Sequence, residues 1–149
     1  MTLPPMPQAS RTSASRGDQM AALAGAAHEK ATDPSIKTLA RQSLLELSDS
    51  VAGETARILE LTLRDFEKLE RVPPELEERR AALSSSAYAA WTRARADDDF
   101  ESFEPILRAC FETAAELARA RRGPDDTGTS LYSAMLDEYE TGVSPRGSR

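Results

Sequence analysis

The amino-acid sequence predicts an all-α protein, an antiparallel multi-helix bundle of about six helices with flexible ends. Three observations lead there. Ala, Leu, Glu and Arg dominate the 149 residues, and these side chains give up little rotamer freedom in a helix. Apolar residues recur at i, i+3, i+4 and i+7 through most of the chain, the period of one helix face. No stretch of useful length alternates apolar with polar residues as a half-buried strand does. Residues 1–17 read as a flexible lead-in rich in Pro, Ser and Thr, residues 18–141 as the helical region, and residues 142–149 as a flexible tail.

Asp18 is placed to cap a first helix running to about Lys30, with Met20, Leu23, Ala24, Ala27 and Ala31 on one face. Thr32-Asp33-Pro34 stops it and starts the next, Asp33 as N-cap and Pro34 at the first helical position. The second helix, to Leu47, carries Ile36, Leu39, Ala40, Leu44 and Leu47 in one stripe. Ser48-Asp49-Ser50 breaks it and offers a cap to a third helix from about Val51 to Arg71. Two stripes mark that helix, one through Leu59, Leu63 and Phe66 and another through Ile58, Leu61 and Leu69, the pattern of a helix packed on two sides.

Val72-Pro73-Pro74 ends the third helix, because a proline disfavours the α region for the residue before it. A fourth helix follows from Pro74 to about Ala96, with Leu76, Leu83, Ala87, Trp91 and Ala94 at helical spacing. Asp97-Asp98-Asp99 puts acid at the start of the fifth helix, where the helix dipole favours it. Running to about Arg122, the fifth has the cleanest period: Phe100, Phe103, Ile106, Leu107, Cys110, Phe111, Ala114 and Leu117. On this pattern Phe103, Ile106 and Phe111, with Trp91, belong to the core. Arg119, Arg121 and Arg122 occupy the last turn and Gly123-Pro124 closes it. A loop leads to a short final helix from Ser130 to about Glu140.

Composition narrows the function classes. Hydrophobic residues make up 40% and charged residues 30%, as in a soluble globular protein. The net charge of −6 disfavours a nucleic-acid partner, since phosphates are repelled. No run approaches the roughly 20 apolar residues that cross a bilayer, so no membrane partner is expected. A single cysteine, Cys110, rules out an intramolecular disulfide and fits a cytoplasmic location. The alternative is an organelle reached through an N-terminal transit peptide: the first sixteen residues hold Arg11 and Arg16 and no acid, although Pro4, Pro5 and Pro7 spoil an amphipathic helix there.

Chemistry-bearing residues are sparse. His28 is the only histidine, and a catalytic zinc site takes about three protein ligands, so His28 reads as a surface or interhelical polar residue. With no second histidine there is no H-E-x-x-H. Cys110 lies on the apolar face of its helix and reads as a buried structural thiol rather than a nucleophile. The isolated glycines form no phosphate loop, and Asp97-Asp98-Asp99 lacks the further oxygen ligands of a cation site. Arg119-Ala120-Arg121-Arg122 is too short a basic run for nucleic acid. Trp91 and Tyr88 read as core and rim. No catalytic, cofactor-binding or metal residue is assigned.

Further order is visible in particular residues. Val72-Pro73-Pro74-Glu75-Leu76 is followed by Ala90-Trp91 with Ala94-Arg95, then Asp99-Phe100 with Phe103, Pro105 and Leu107. After a helix and a loop comes Tyr132-Ser133-Ala134-Met135-Leu136-Asp137-Glu138-Tyr139-Glu140-Thr141-Gly142-Val143. This series resembles the carboxypeptidase Taq pattern P-P-E-L, A-W-x-x-A-R, D-F-x-x-F-x-P-x-L and Y-D-A-L-L-D-x-Y-E-P-G-M. Upstream, Met6-Pro7, Arg16, Gln19, Leu23 and His28-Glu29 are similar to that family's front segment. Ser133, Thr141 and Val143 stand where the family usually has Asp, Pro and Met.

The resemblance implies a nearly all-helical fold and removal of C-terminal amino acids from peptides by a zinc-bearing H-E-x-x-H that lies downstream of the blocks seen here. It also implies that this region helps form the helical wall and cover of a deep substrate groove. The expectation is therefore a truncated metallocarboxypeptidase-like protein, lacking a short piece before and the catalytic body after, with no cofactor in this chain and zinc in full-length relatives. The alternative is a stand-alone helical interaction module, its partners a second copy of itself or a full-length relative.

Overall fold

The computed structural model describes residues 8–47, 52–123, 128 and 130–139. Among them the chain forms six helices, α1 (Gln8–Ala31), α2 (Pro34–Glu46), α3 (Ala52–Glu70), α4 (Pro74–Asp97), α5 (Phe100–Arg121) and α6 (Leu131–Leu136), and no strand. The all-α expectation holds. The proposed cap at Ser48-Asp49-Ser50 and the tail from residue 142 lie outside the described residues.

Boundaries follow local chemistry. α1 starts at Gln8, ten residues before the expected Asp18. The segment from Gln8 to Gly17 has no proline, so its serines and threonines weaken the helix without breaking it. Asp33 caps α2 as its sequence predicts: the backbone is extended, the carboxylate accepts from the Ser35 N–H at 2.9 Å, and Pro34 fills the first position. Pro105 lies inside α5, within its first two turns, where it removes a single i to i−4 hydrogen bond.

The Asp97–Asp99 turn joins two helices with three aspartates in three different roles. Asp97 ends α4. Asp98 takes a left-handed backbone, φ 51°, and the Asp99 N–H donates to the Ala94 carbonyl at 2.9 Å, the six-to-one bond of a Schellman cap. Asp99 then caps α5, its carboxylate accepting from the Ser102 N–H at 3.1 Å.

The helices group into two compact units. Of the described residues, one unit comprises those up to Ala27 with Pro74–Ala115, and the other those of His28–Pro73 with those from Glu116. In the first, Gly17 lies over the Ala82 backbone and Gly25 against the Glu78 side chain. Rising numbers on α1 thus meet falling numbers on α4, so the two run antiparallel. A Cβ at Gly25 would meet the Glu78 carboxylate, the free end of a flexible, exposed side chain that can swing aside. Leu76 and Ala94 are buried in this unit.

In the second unit α2 packs on α3. Lys37 pairs with Glu70 at 2.8 Å and Arg41 with Glu67 at 3.4 Å, again an antiparallel order. The Lys37 ammonium also lies 5.6 Å from the Phe66 ring centre, within cation–π reach. Phe66 (3% exposed), Val72, Ala40, Leu117 and Ala118 are its buried apolar residues.

Candidate functional site

A hydrolytic metal centre needs several ligands converging from rigid elements. His28 lies at the C-terminal end of α1 and is 8% exposed, on the buried side of the surface-or-interhelical expectation. His28-Glu29 opens like a metal-binding helix motif, but the residue four positions on is Thr32. Its hydroxyl donates to the His28 carbonyl at 2.8 Å, so the turn that would carry a second ligand instead closes the helix. Cys110 is a free thiol, half-buried on α5, and belongs to the other unit. Among the described residues no three His, Cys, Asp or Glu side chains come together as a metal ion would require. Zinc does not fit the side chains described, and no chemical step runs through it here.

The remaining candidates resolve into structure. The three aspartates are consumed by the α4–α5 turn. Arg121 pairs with Glu138, which ties the end of α5 to the segment after α6. Lys68 on α3 pairs with Asp137, so Asp137, the acid of the Tyr132–Tyr139 block, anchors that block from a second side. Ser130 caps α6, its hydroxyl accepting from the Ser133 N–H at 3.0 Å. Neither ion pair is legible in the sequence: the Lys68 and Asp137 partners stand 69 residues apart, and helical periodicity carries no information over that span.

Two aromatic expectations are corrected. Trp91 is 47% exposed and Phe111 is 70% exposed, so neither is a core residue; Phe103 and Ile106 are half-buried. The buried positions of α5 fall at Thr113, Leu117 and Ala118, a stripe rotated away from Phe111. Periodicity locates an apolar face but does not say whether anything covers it. Tyr88 and Trp91 sit side by side on α4, their ring centres 6.1 Å apart and tilted by 38°.

Comparison with known proteins gives this arrangement its class. Residues 4–146 match the family described as Carboxypeptidase Taq (M32) metallopeptidase, and the chain belongs to that family. Thermostable carboxypeptidase 1 of Thermus thermophilus is 31% identical over 137 residues, covering 88% of this chain and 27% of that protein. Carboxypeptidase 1 of Bacillus subtilis is 27% identical over 101 residues, 68% of this chain and 19% of the relative. Thermostable carboxypeptidase 1 of Pyrococcus furiosus is 35% identical over 74 residues, 50% of this chain and 14% of the relative. The chain therefore spans about a quarter or less of the curated relatives it matches. No solved structure matches it.

Proposed function

We propose that this chain supplies part of the helical wall and cover of a peptide-substrate groove of the Taq carboxypeptidase kind, and that it does not itself hydrolyse peptides. The observation that carries this reading is the family match across residues 4–146 in a chain with a single histidine. The match supports a role within a metallocarboxypeptidase scaffold. One histidine and one cysteine do not make a three-ligand open zinc site, so activation of water and polarisation of a scissile carbonyl fall to side chains other than these. No helix of the described residues is long and apolar enough to cross a membrane. A cytoplasmic setting suits the free Cys110.

The test is direct. Purified chain is incubated with a peptide of free C-terminus, with and without added zinc, and release of the terminal amino acid is measured against a mock preparation. No release above the mock is expected; metal-dependent release would overturn the reading. Sequencing the transcript past Arg149 adds a second check, an in-frame H-E-x-x-H supporting the scaffold role.

A second reading, a stand-alone helical interaction module, draws support from a different observation. Leu23, Leu45, Ile58, Trp91 and Phe111 are all exposed, and apolar side chains of that size on helix surfaces serve as contact points when they adjoin. Strong expression of a transcript that stops after Arg149 favours this module over the scaffold.

A further inference from the structure

α6 is too short to stand by itself. It has six residues, and an isolated helix of fewer than about a dozen residues is marginal in water. Its helical form therefore depends on what it is docked to. Apolar burial supplies little of that docking: Ser133 alone is buried, Tyr132 is exposed, and Leu131, Ala134, Met135 and Leu136 are half-buried.

Charge supplies more. Asp137 and Glu138 are consecutive, yet they reach two different helices of the same compact unit. Asp137 pairs with Lys68 on α3, and Glu138 with Arg121 at the end of α5, the latter at 2.5 Å. Lys68 and Asp137 are 29% and 24% exposed and Arg121 is 13% exposed, whereas Arg41 and Glu67 between α2 and α3 are both largely in water. Shielded pairs keep more of their attraction than exposed ones. The helices that carry the two cations do not share the weakness of α6. α3 holds Phe66 and α5 holds Leu117 and Ala118, all buried. The cations thus stand on elements fixed by apolar packing, and the acids on one that is not.

We propose that residues 130–139 form a strap latched by charge, which opens as one local unit while α2, α3 and α5 stay folded. Segments with few buried apolar contacts are the ones that open locally. Because the two acids are adjacent, loss of either pair loosens the whole strap. Opening bares Ser133 and parts Lys68 and Arg121 from the strap's acids. The device needs neither a substrate nor a metal, so it stands apart from the groove-wall reading.

Hydrogen exchange of the full chain, read amide by amide by NMR, tests this. In the wild type the Ala134, Asp137 and Tyr139 N–H groups donate to the Ser130, Ser133 and Leu136 carbonyls. These three should exchange together, at least about tenfold faster than the α3 amides around Phe66. Lys68→Gln and Arg121→Gln should each speed the strap amides about fivefold and leave α3 unchanged. Lys68→Glu combined with Asp137→Lys should restore protection that Lys68→Glu alone removes. Strap amides that exchange as slowly as those of α3 in the wild type overturn the proposal, whatever the variants do. A variant that loosens α3 as much as the strap also overturns it, since the pair is then a tie of the whole unit. Strap exchange unmoved in both variants shows that charge is not the latch, and overturns it equally.

Discussion

Asp98 shows how one residue can carry a conflict that the surrounding turn tolerates. Its left-handed backbone, φ 51°, crowds the Cβ of any L-residue, and aspartate accepts it more readily than most because its short side chain bonds locally. Asp98→Gly removes the crowding, and is expected to raise stability by about 0.5–1 kcal/mol; a denaturation midpoint in urea that falls would contradict this. Phenylalanines make a second contrast at this scale. Phe66, 3% exposed, should cost roughly 3–5 kcal/mol on replacement by alanine, while Phe111, 70% exposed, should cost under about 1 kcal/mol. Parallel urea titrations of the two variants check the pair, and equal losses would mean that Phe111 is covered in solution.

Among the elements, α2 depends most visibly on its cap. The Ser35 backbone N–H, then the Ser35 hydroxyl, hold the Asp33 carboxyl below the ordinary aspartate value of 3.8, with Lys30 adding to the effect. A carboxyl whose folded value is depressed binds protons more weakly in the folded state. Its contribution is therefore fully present above the unfolded value near 3.8 and disappears as pH falls through the lower folded value. Asp33 is fully exposed, so the effect is small. Acid titration of the wild type should show a loss of stability in that window that is reduced in Asp33→Ser, which caps through a hydroxyl that does not titrate there. The α2–α3 ion pairs behave differently: Lys37–Glu70 and Arg41–Glu67 are partly or largely exposed, and each contributes at most about 1 kcal/mol. Their use is to record the antiparallel register that buried Phe66 and Ala40 stabilise.

At the level of the whole molecule, the six helices of the described residues leave many large apolar side chains in water. Met20, Leu39 and Phe100 join the exposed residues already named, and monomeric soluble proteins seldom leave such side chains contiguous. The chain should bind a hydrophobic fluorescent dye while keeping strong helical circular dichroism. Absence of dye binding at every concentration would show that the exposed side chains are dispersed singly. Family membership sets the frame for this surface: the greater part of each matched relative lies outside the aligned stretch.

What the sequence determined by itself is local, and its reasons are local. Helix content follows from side-chain entropy, the α2 start from Asp33-Pro34, and the α3–α4 break from Val72-Pro73-Pro74, each decided within a few residues of backbone. Family membership was also legible, because ordered motifs such as Ala90-Trp91 with Ala94-Arg95 stay in register along the chain. Tertiary structure decided which apolar faces are covered. The period of α5 marks Phe111 and Leu117 alike as apolar, yet only Leu117 is buried, because burial depends on what lies opposite and periodicity describes one helix alone. The same reason hides the Lys68–Asp137 and Arg121–Glu138 pairs, whose partners come from separate elements. His28 shows both: its solitude was plain in the sequence, and its burial was settled only by the packing of the folded chain.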